Sequence, residues 1–328
     1  MKHWVWLSLL LLAALGLSLF TGVRSISAEQ ALQALFALDS TNPNHIAFVY
    51  VRAPRVVAGL VCGAALATAG MAIQATTRNP LADPGILGVN AGAAFAIAIG
   101  TLLAGRADGT LLAFLAFPGA AIAAIMVFAL GGGLHGSASP VRLTLAGSAL
   151  SALLFSLVTA IVLLRGEALE VVRFWVVGSL SEARTRPLLT MSAVAIAGGA
   201  LLLTIATKLE TLALGETLAR GLGTRPRQVQ AIVLLAVTLL TGAAVALAGP
   251  IAFLGLMIPP IARRIAGASL RPGILAAAML GASVLLLADV AGRVLFAPAE
   301  IQAGIMTALI GGPVFVLIAR RLSPGAVA

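Results

Sequence analysis

The sequence predicts an all-helical integral membrane protein with about ten transmembrane helices and one short helix on the cytoplasmic surface. Three observations carry that prediction. Of its 328 residues, 60% belong to the hydrophobic set and only 10% are charged, whereas soluble chains run near half apolar and a quarter charged. Apolar runs of bilayer length recur from one end of the chain to the other. Most charged residues fall in the short stretches between them or at their ends. A hydrocarbon layer of about 30 Å takes about 20 residues at 1.5 Å each, so this length holds some ten spans and little else. The whole chain, 1–328, reads as a single transmembrane domain.

A net charge of +10 suggests nucleic acid in a soluble protein. Here the basic residues stand as ones and twos between apolar runs, with no basic stripe and no interleaved aromatics to stack bases. Loop anchoring explains them, and no nucleic-acid partner is expected. The single cysteine, Cys62, lies inside an apolar run. It excludes an intramolecular disulfide and reads as packing; no metal site is expected.

The first run covers 4–20 behind Lys2 and His3. Ser-Ile-Ser-Ala at 25–28 resembles a signal-peptidase site, which leaves cleavage open, but a 17-residue apolar core exceeds the usual signal h-region and is taken as span one. Further spans are predicted at 53–75, 86–104, 110–131, 142–164, 187–207, 228–248, 251–266, 272–296 and 302–319. The run from 251 is short and interrupted by Pro259 and Pro260, which predicts a broken or half span.

With the N-terminus inside, an even number of spans returns the C-terminus inside. Lys2, Arg78, Arg142, Lys208, Arg220, Arg225, Arg227, Arg263, Arg264, Arg271, Arg320 and Arg321 then fall on the cytoplasmic side, a majority of the 21 basic residues. Gly59, Gly63 and Ala67 recur four apart, as do Gly92 and Ala96, the spacing that lets helices approach closely in lipid; the general abundance of Ala and Gly is the plainer reading of any one pair.

Catalytic signatures are missing: the sequence contains no G-x-S-x-G, H-E-x-x-H or G-x-x-x-x-G-K-[ST]. The aspartates Asp39, Asp83, Asp108 and Asp289 are far apart, so no Asp-rich diphosphate-metal motif exists, and the chain is not expected to bind ATP or to be an enzyme. An ion-coupled carrier needs an ionisable group at depth. Asp289 is the candidate, but Arg293 lies four residues on, and a structural ion pair on one helix face is the preferred reading.

Two inner loops have character. Residues 78–85 (RNPLADPG) interrupt two runs with helix-stopping prolines and with Asn79 and Asp83 able to bond freed backbone groups, which predicts a structured re-entry loop. The segment 208–227 contains Leu214, Leu218 and Leu222 four apart, then Gly221 and Gly223 as stop signals, which predicts a short amphipathic helix. A helix lying in the lipid interface favours more basic residues and an aromatic anchor; this one carries Glu216 and Arg220, and a protein partner fits better.

Six blocks in order then carry a family likeness: RAPR at 52–55, RNPLADPGILG at 78–88, WVVGSL at 175–180, LALGETLARGLG at 212–223, GPIAFLGLMIP at 249–259 and PAEIQAGIMTALIGGP at 298–313. Over about residues 10–321 the chain resembles the permeases of type II ABC importers for iron-siderophore complexes, haem and cobalamin. Within them it looks most like permeases for ferric catecholate siderophores of the enterobactin type, through NPLADPGILGVNAGAA at 79–94, SPVRLTLAG at 139–147 and Arg173-Phe174-Trp175.

The resemblance implies a bacterial inner-membrane permease with both termini cytoplasmic. Its expected partners are two ATP-binding cassette ATPase subunits, a periplasmic substrate-binding protein, and a second copy or a homologous permease; ATP and magnesium belong to the ATPase, and this chain holds no cofactor. By the same resemblance 208–227 is the segment coupled to the ATPase, with Leu214 in its stripe and Gly215, Glu216, Ala219, Arg220 and Gly223 as the matching positions. Arg52, Arg55 and Arg293 match outer-face arginines that meet carboxylates of the binding protein; headgroup anchoring is the alternative reading of the same residues. Asn79 and Asp83 of the re-entry loop, with Pro140 and Arg142 in the inner turn at 137–142, correspond to the cytoplasmic gate. The family usually has Pro-His after the GPIAFLGLMI block; this chain has Pro259-Pro260.

Overall fold

The computed structural model describes residues 2–22, 26–105, 108–133, 140–164, 166–267 and 269–321. In chain order its helices are α1 (Lys2–Phe20), α2 (Ala28–Phe36), α3 (Pro43–Ile46), α4 (Ala53–Thr77), α5 (Val89–Ala104), α6 (Gly109–Leu130), α7 (Pro140–Leu164), α8 (Gly166–Val176), α9 (Leu188–Ala213), α10 (Glu216–Gly221), α11 (Pro226–Ala248), α12 (Leu254–Ala266), α13 (Leu270–Val294) and α14 (Ala303–Arg321). No strand occurs among the described residues. Ten of these helices fall on the predicted runs. Eight membrane-length apolar helices are present among the described residues. The other two, α5 with 16 residues and α12 with 13, reach roughly 24 and 20 Å, short of a full crossing.

Three boundaries differ from expectation for identifiable reasons. The second span begins ten residues earlier than 53, because Asn42 caps α3, Pro43 opens it, and a π-helical stretch, Ala47–Arg52, carries it into α4. That widened turn ends beside Pro54, whose missing N–H cannot close an ordinary helical turn on Tyr50. Helix α8 was not anticipated at all; its 11 residues follow α7 almost directly. Third, of the two alternatives for the run from 251, α12 is the short span and not the broken one: its 13 residues run through both prolines.

The intact α12 has a specific cause. Pro259 and Pro260 cannot donate to the carbonyls four residues back, those of Gly255 and Leu256. Gln74, on the neighbouring α4, replaces the lost donors: its Nε2 lies 3.4 Å from the Gly255 carbonyl and 3.1 Å from that of Leu256. The same amide reaches the Ala82 carbonyl of the re-entry loop at 3.3 Å, and Arg263 Nη2 donates to Gln74 Oε1 at 2.5 Å. One side chain thus ties α4, α12 and the re-entry loop together where water is scarce and an orphaned carbonyl is costly.

Helices α4, α11 and α13 form the buried centre, with α9, α12 and α1 packed around α4 and α13, and α5 and α6 paired beside α11. The small residues do what their spacing predicts. A Cβ on Gly281 of α13 would strike Gly63 and Ala67 of α4; a Cβ on Gly119 of α6 would strike Gly92 and Ala96 of α5. A Cβ on Gly70 of α4 would strike the Gly255 backbone of α12, and one on Gly255 would strike Pro84 in the re-entry loop.

Three of the sequence blocks far apart in the chain meet in one knot. Ser179 donates to the Ala248 carbonyl at 2.7 Å and Gly304 to the Gly178 carbonyl at 3.0 Å. Gly178 and Gly249 take φ of +74° and +73° there, a region that favours glycine.

Candidate functional site

The end of the bundle predicted to face the cytoplasm carries the first candidate site. Helix α9 continues to Ala213, six residues into the 208–227 segment expected to form the surface helix, and the chain then turns at Gly215, whose φ of +114° no L side chain adopts easily. The six residues of α10 follow. Ala219 is fully buried, while Leu214, Leu218 and Leu222 are each at least 60% exposed. Only Leu218 lies within α10; Leu214 precedes the Gly215 turn and Leu222 caps the helix, so the leucines spaced four apart form an exposed apolar patch around the elbow rather than one helical stripe. Such a patch marks a contact surface.

The elbow is held from within. Thr224 donates its N–H to the Ala219 carbonyl at 2.8 Å, the Thr211 and Thr224 hydroxyls meet at 2.8 Å, and Gly223 turns at φ +76°. Arg220 Nη2 donates to Glu216 Oε2 at 3.2 Å, an exposed pair of the kind that contributes at most about 1 kcal/mol. Gln230 of α11 donates to Glu216 Oε1 at 3.3 Å. Glu216 therefore links the short helix to a full span, and Gln230 is a member of the site that sequence reasoning missed.

The re-entry loop sits beside this elbow. Arg78 ends α4 in a left-handed conformation, φ 54°. Asn79 Oδ1 accepts from Leu81 N–H at 2.9 Å, and Asp83 Oδ1 accepts from Gly85 N–H at 2.8 Å, capping a 3₁₀ turn at Pro84–Leu87. Burial pushes the Asp83 carboxyl above its ordinary range, and the Gly85 N–H pulls it back. Arg78 Nη1 lies 3.6 Å from the position a Cβ on Gly215 would occupy. A cavity of about 190 Å³ separates loop and elbow, lined by Thr77, Arg78, Leu87, Leu143, Glu216 and Gln230 among others. Of the other expected gate residues, Arg142 is exposed on the first turn of α7 and Pro140 opens that helix; 137–139 lie outside the described residues, and the Pro140 side chain is likewise not described.

At the opposite end the three arginines expected to meet a partner do come together, but in a buried network. Asp289 is fully buried and accepts from Arg55 twice: Nη2 at 2.8 Å and Nε at 3.0 Å to Oδ1, with Nε also 3.1 Å from Oδ2. Arg293 Nε stands 3.2 Å from Asp289 Oδ2 as a charge contact without hydrogen-bond geometry. The i,i+4 pair read from sequence is present, and Asp289 is committed to two arginines. Arg293 also donates to the Ser18 and Thr21 carbonyls at 3.2 and 3.1 Å, and Arg52 Nη1 to that of Leu19 at 2.9 Å. These guanidinium groups satisfy the terminal carbonyls of α1 and oppose the negative end of its dipole. Glu300, between α13 and α14, accepts from Arg55 Nη1 at 2.8 Å. It carries no signal in the sequence that singles it out.

Among the described residues no cluster of His, Cys, Asp and Glu could hold a metal ion. Among the described residues the ion pairs of this membrane-length helix bundle lie at its two ends, the arrangement of a multi-pass membrane protein with docking or gating surfaces on either side. The FecCD transport family matches residues 10–321, and the chain belongs to that family. It is 41% identical to the ferric enterobactin transport system permease protein of Escherichia coli (strain K12), over 97% of this chain and 95% of that one. Identity to the hemin transport system permease protein of Yersinia pestis is 35%, over 96% and 94%. A solved structure of a metal-chelate type ABC transporter in an inward-facing conformation matches with a TM-score of 0.81 at 29% identity, covering 98% of this chain and 99% of that one.

Proposed function

We propose that this chain is the permease subunit of an ATP-driven importer that carries a ferric siderophore of the catecholate type across the bacterial inner membrane, with both termini in the cytoplasm. The substrate class is supported by 41% identity over nearly the whole length to a relative named for ferric enterobactin. Relatives named for ferric hydroxamate and hemin match at 37% and 35%, so haem is the second reading for the cargo.

The observation that carries the mechanism is the elbow at Gly215. It presents α10 with exposed Leu218, flanked by exposed Leu214 and Leu222, and ties it, through Glu216 and Gln230, to α11. In this reading α10 docks into an ATPase subunit, two of which bind ATP and magnesium; the permease itself holds no cofactor. Nucleotide-driven closure of the ATPase pair moves α10, the motion passes to α11 through Glu216 and Gln230, and the two ends of the pathway open in turn. A second permease completes the path. The arginines Arg52, Arg55 and Arg293 at the outer end receive carboxylates of the binding protein, which steers and registers docking.

The test is co-purification of the tagged chain with its ATPase, followed by ATPase assay in nanodiscs. Wild type is expected to retain the ATPase and Gly215→Trp to lose it, since Gly215 has no room in φ space for a side chain. Transport in proteoliposomes lacking ATP, with no ATPase bound, would overturn the assignment. Competition of uptake by a ferric catecholate against haem separates the two cargo readings.

A further inference from the structure

The two carboxylates that hold Arg55 are not equivalent. Asp289 lies within α13, is completely buried, and engages the inner edge of the guanidinium through Nε and Nη2. Glu300 belongs to the connection between α13 and α14, its side chain is 39% exposed, and it takes the remaining donor, Nη1, at 2.8 Å. Arg55 itself has only 6% of its side chain exposed. The guanidinium edge that Asp289 leaves over is therefore filled by a carboxylate of the permease's own chain, in the position and chemistry that an incoming carboxylate would need.

We propose that Glu300 is a built-in competitor for the docking of the substrate-binding protein: in the free permease it occupies Arg55 Nη1, and a glutamate or aspartate of the partner displaces it. This rests on the docking role given above to the outer arginines. The physical ground is the difference between the two pairs. A half-exposed carboxylate on a connection is already well solvated when it swings away, so exchanging it for another carboxylate costs little. A buried one cannot be withdrawn without stranding its partner's charge in a dry site. Glu300 thus exchanges while Asp289 keeps Arg55 aimed outward. Among the described residues, Arg55 and Arg293 share the two carboxylates Asp289 and Glu300, and when Glu300 swings away two guanidinium groups face one carboxylate, which favours an acidic partner. The device keeps the arginine satisfied when no partner is present and makes docking reversible between transport cycles.

The experiment measures binding of the cognate periplasmic protein, in its apo form, to the complete permease–ATPase complex in nanodiscs. Four complexes are compared: wild type, Glu300→Gln, Arg55→Lys and Arg52→Gln. Glu300→Gln is expected to bind about fivefold more tightly, the equivalent of removing one exposed ion pair from the competition, with a smaller gain at high salt. Arg55→Lys, which keeps the charge but loses the forked geometry, is expected to bind more weakly. If Arg55→Lys weakens binding but Glu300→Gln leaves it unchanged or weaker, the competitor role is overturned and the docking role stands. If Arg55→Lys and Arg52→Gln both bind like wild type while melting normally, the docking role itself is lost and the competitor role with it.

Discussion

Gln74 is expected to be worth far more to this protein than a single polar residue in an apolar span suggests. Gln74→Leu removes the donor from the Gly255 and Leu256 carbonyls that Pro259 and Pro260 leave open, and from the Ala82 carbonyl, and it deprives Arg263 of its acceptor. An orphaned buried group costs about 1–3 kcal/mol; with the weakest of these contacts at 3.4 Å, a total near 3 kcal/mol is expected. The proline origin of the cost makes a double-mutant cycle possible. Pro260→Ala restores a backbone N–H for the Leu256 carbonyl, so it should be nearly neutral in wild type but recover about 1 kcal/mol in the Gln74→Leu background. The assay is reversible unfolding of the purified chain in mixed micelles, with hydrogen exchange at 78–88 as a second readout of the loop that Gln74 holds. Equal effects of Pro260→Ala in the two backgrounds, within about 0.3 kcal/mol, would refute the idea that the side chain substitutes for the missing proline donors.

Other changes separate structural from exchangeable groups. Asp289→Asn should destabilise by about 3 kcal/mol, because it removes the buried countercharge that Arg55 and Arg293 share, whereas Glu300→Gln should cost about 1 kcal/mol or less; thermal melts of both decide whether the buried pair is the structural one. Gly70→Ala should cost about 1–3 kcal/mol by pushing α4 off the Gly255 backbone, while Gly199→Ala, in mid α9 with open space around it, should stabilise by up to about 1 kcal/mol in the same melts. Glu216→Gln should leave the melting temperature nearly unchanged yet reduce transport-coupled ATP hydrolysis; a normal coupled rate would remove Glu216 from the coupling path.

Much of this was legible because each signal is local. Run length gave the spans, and the leucine spacing with Gly221 and Gly223 as stops marked the surface helix. The i,i+4 spacing of Asp289 and Arg293 announced their contact. What failed to show was every arrangement that joins distant residues: Glu300 on Arg55, Gln230 on Glu216, and Gln74 on the carbonyls freed by Pro259 and Pro260. A polar residue inside a run is a legible anomaly, so Gln74 was detectable as something needing a partner, but its partner lies about 180 residues on. The same limit explains the arginines. Their chemistry and their end of the bundle follow from the chain; that they are buried, and that they close off α1, does not.

The sequence by itself determined that the chain lives in a bilayer, because apolar length and charge depletion are properties of composition. It determined as well where the chain turns, because glycine and proline act on their own backbone. Only the tertiary structure decided which polar groups are committed and which remain exchangeable. In a medium without water every donor and acceptor must be satisfied by the protein, and which neighbour satisfies it depends on how the helices pack.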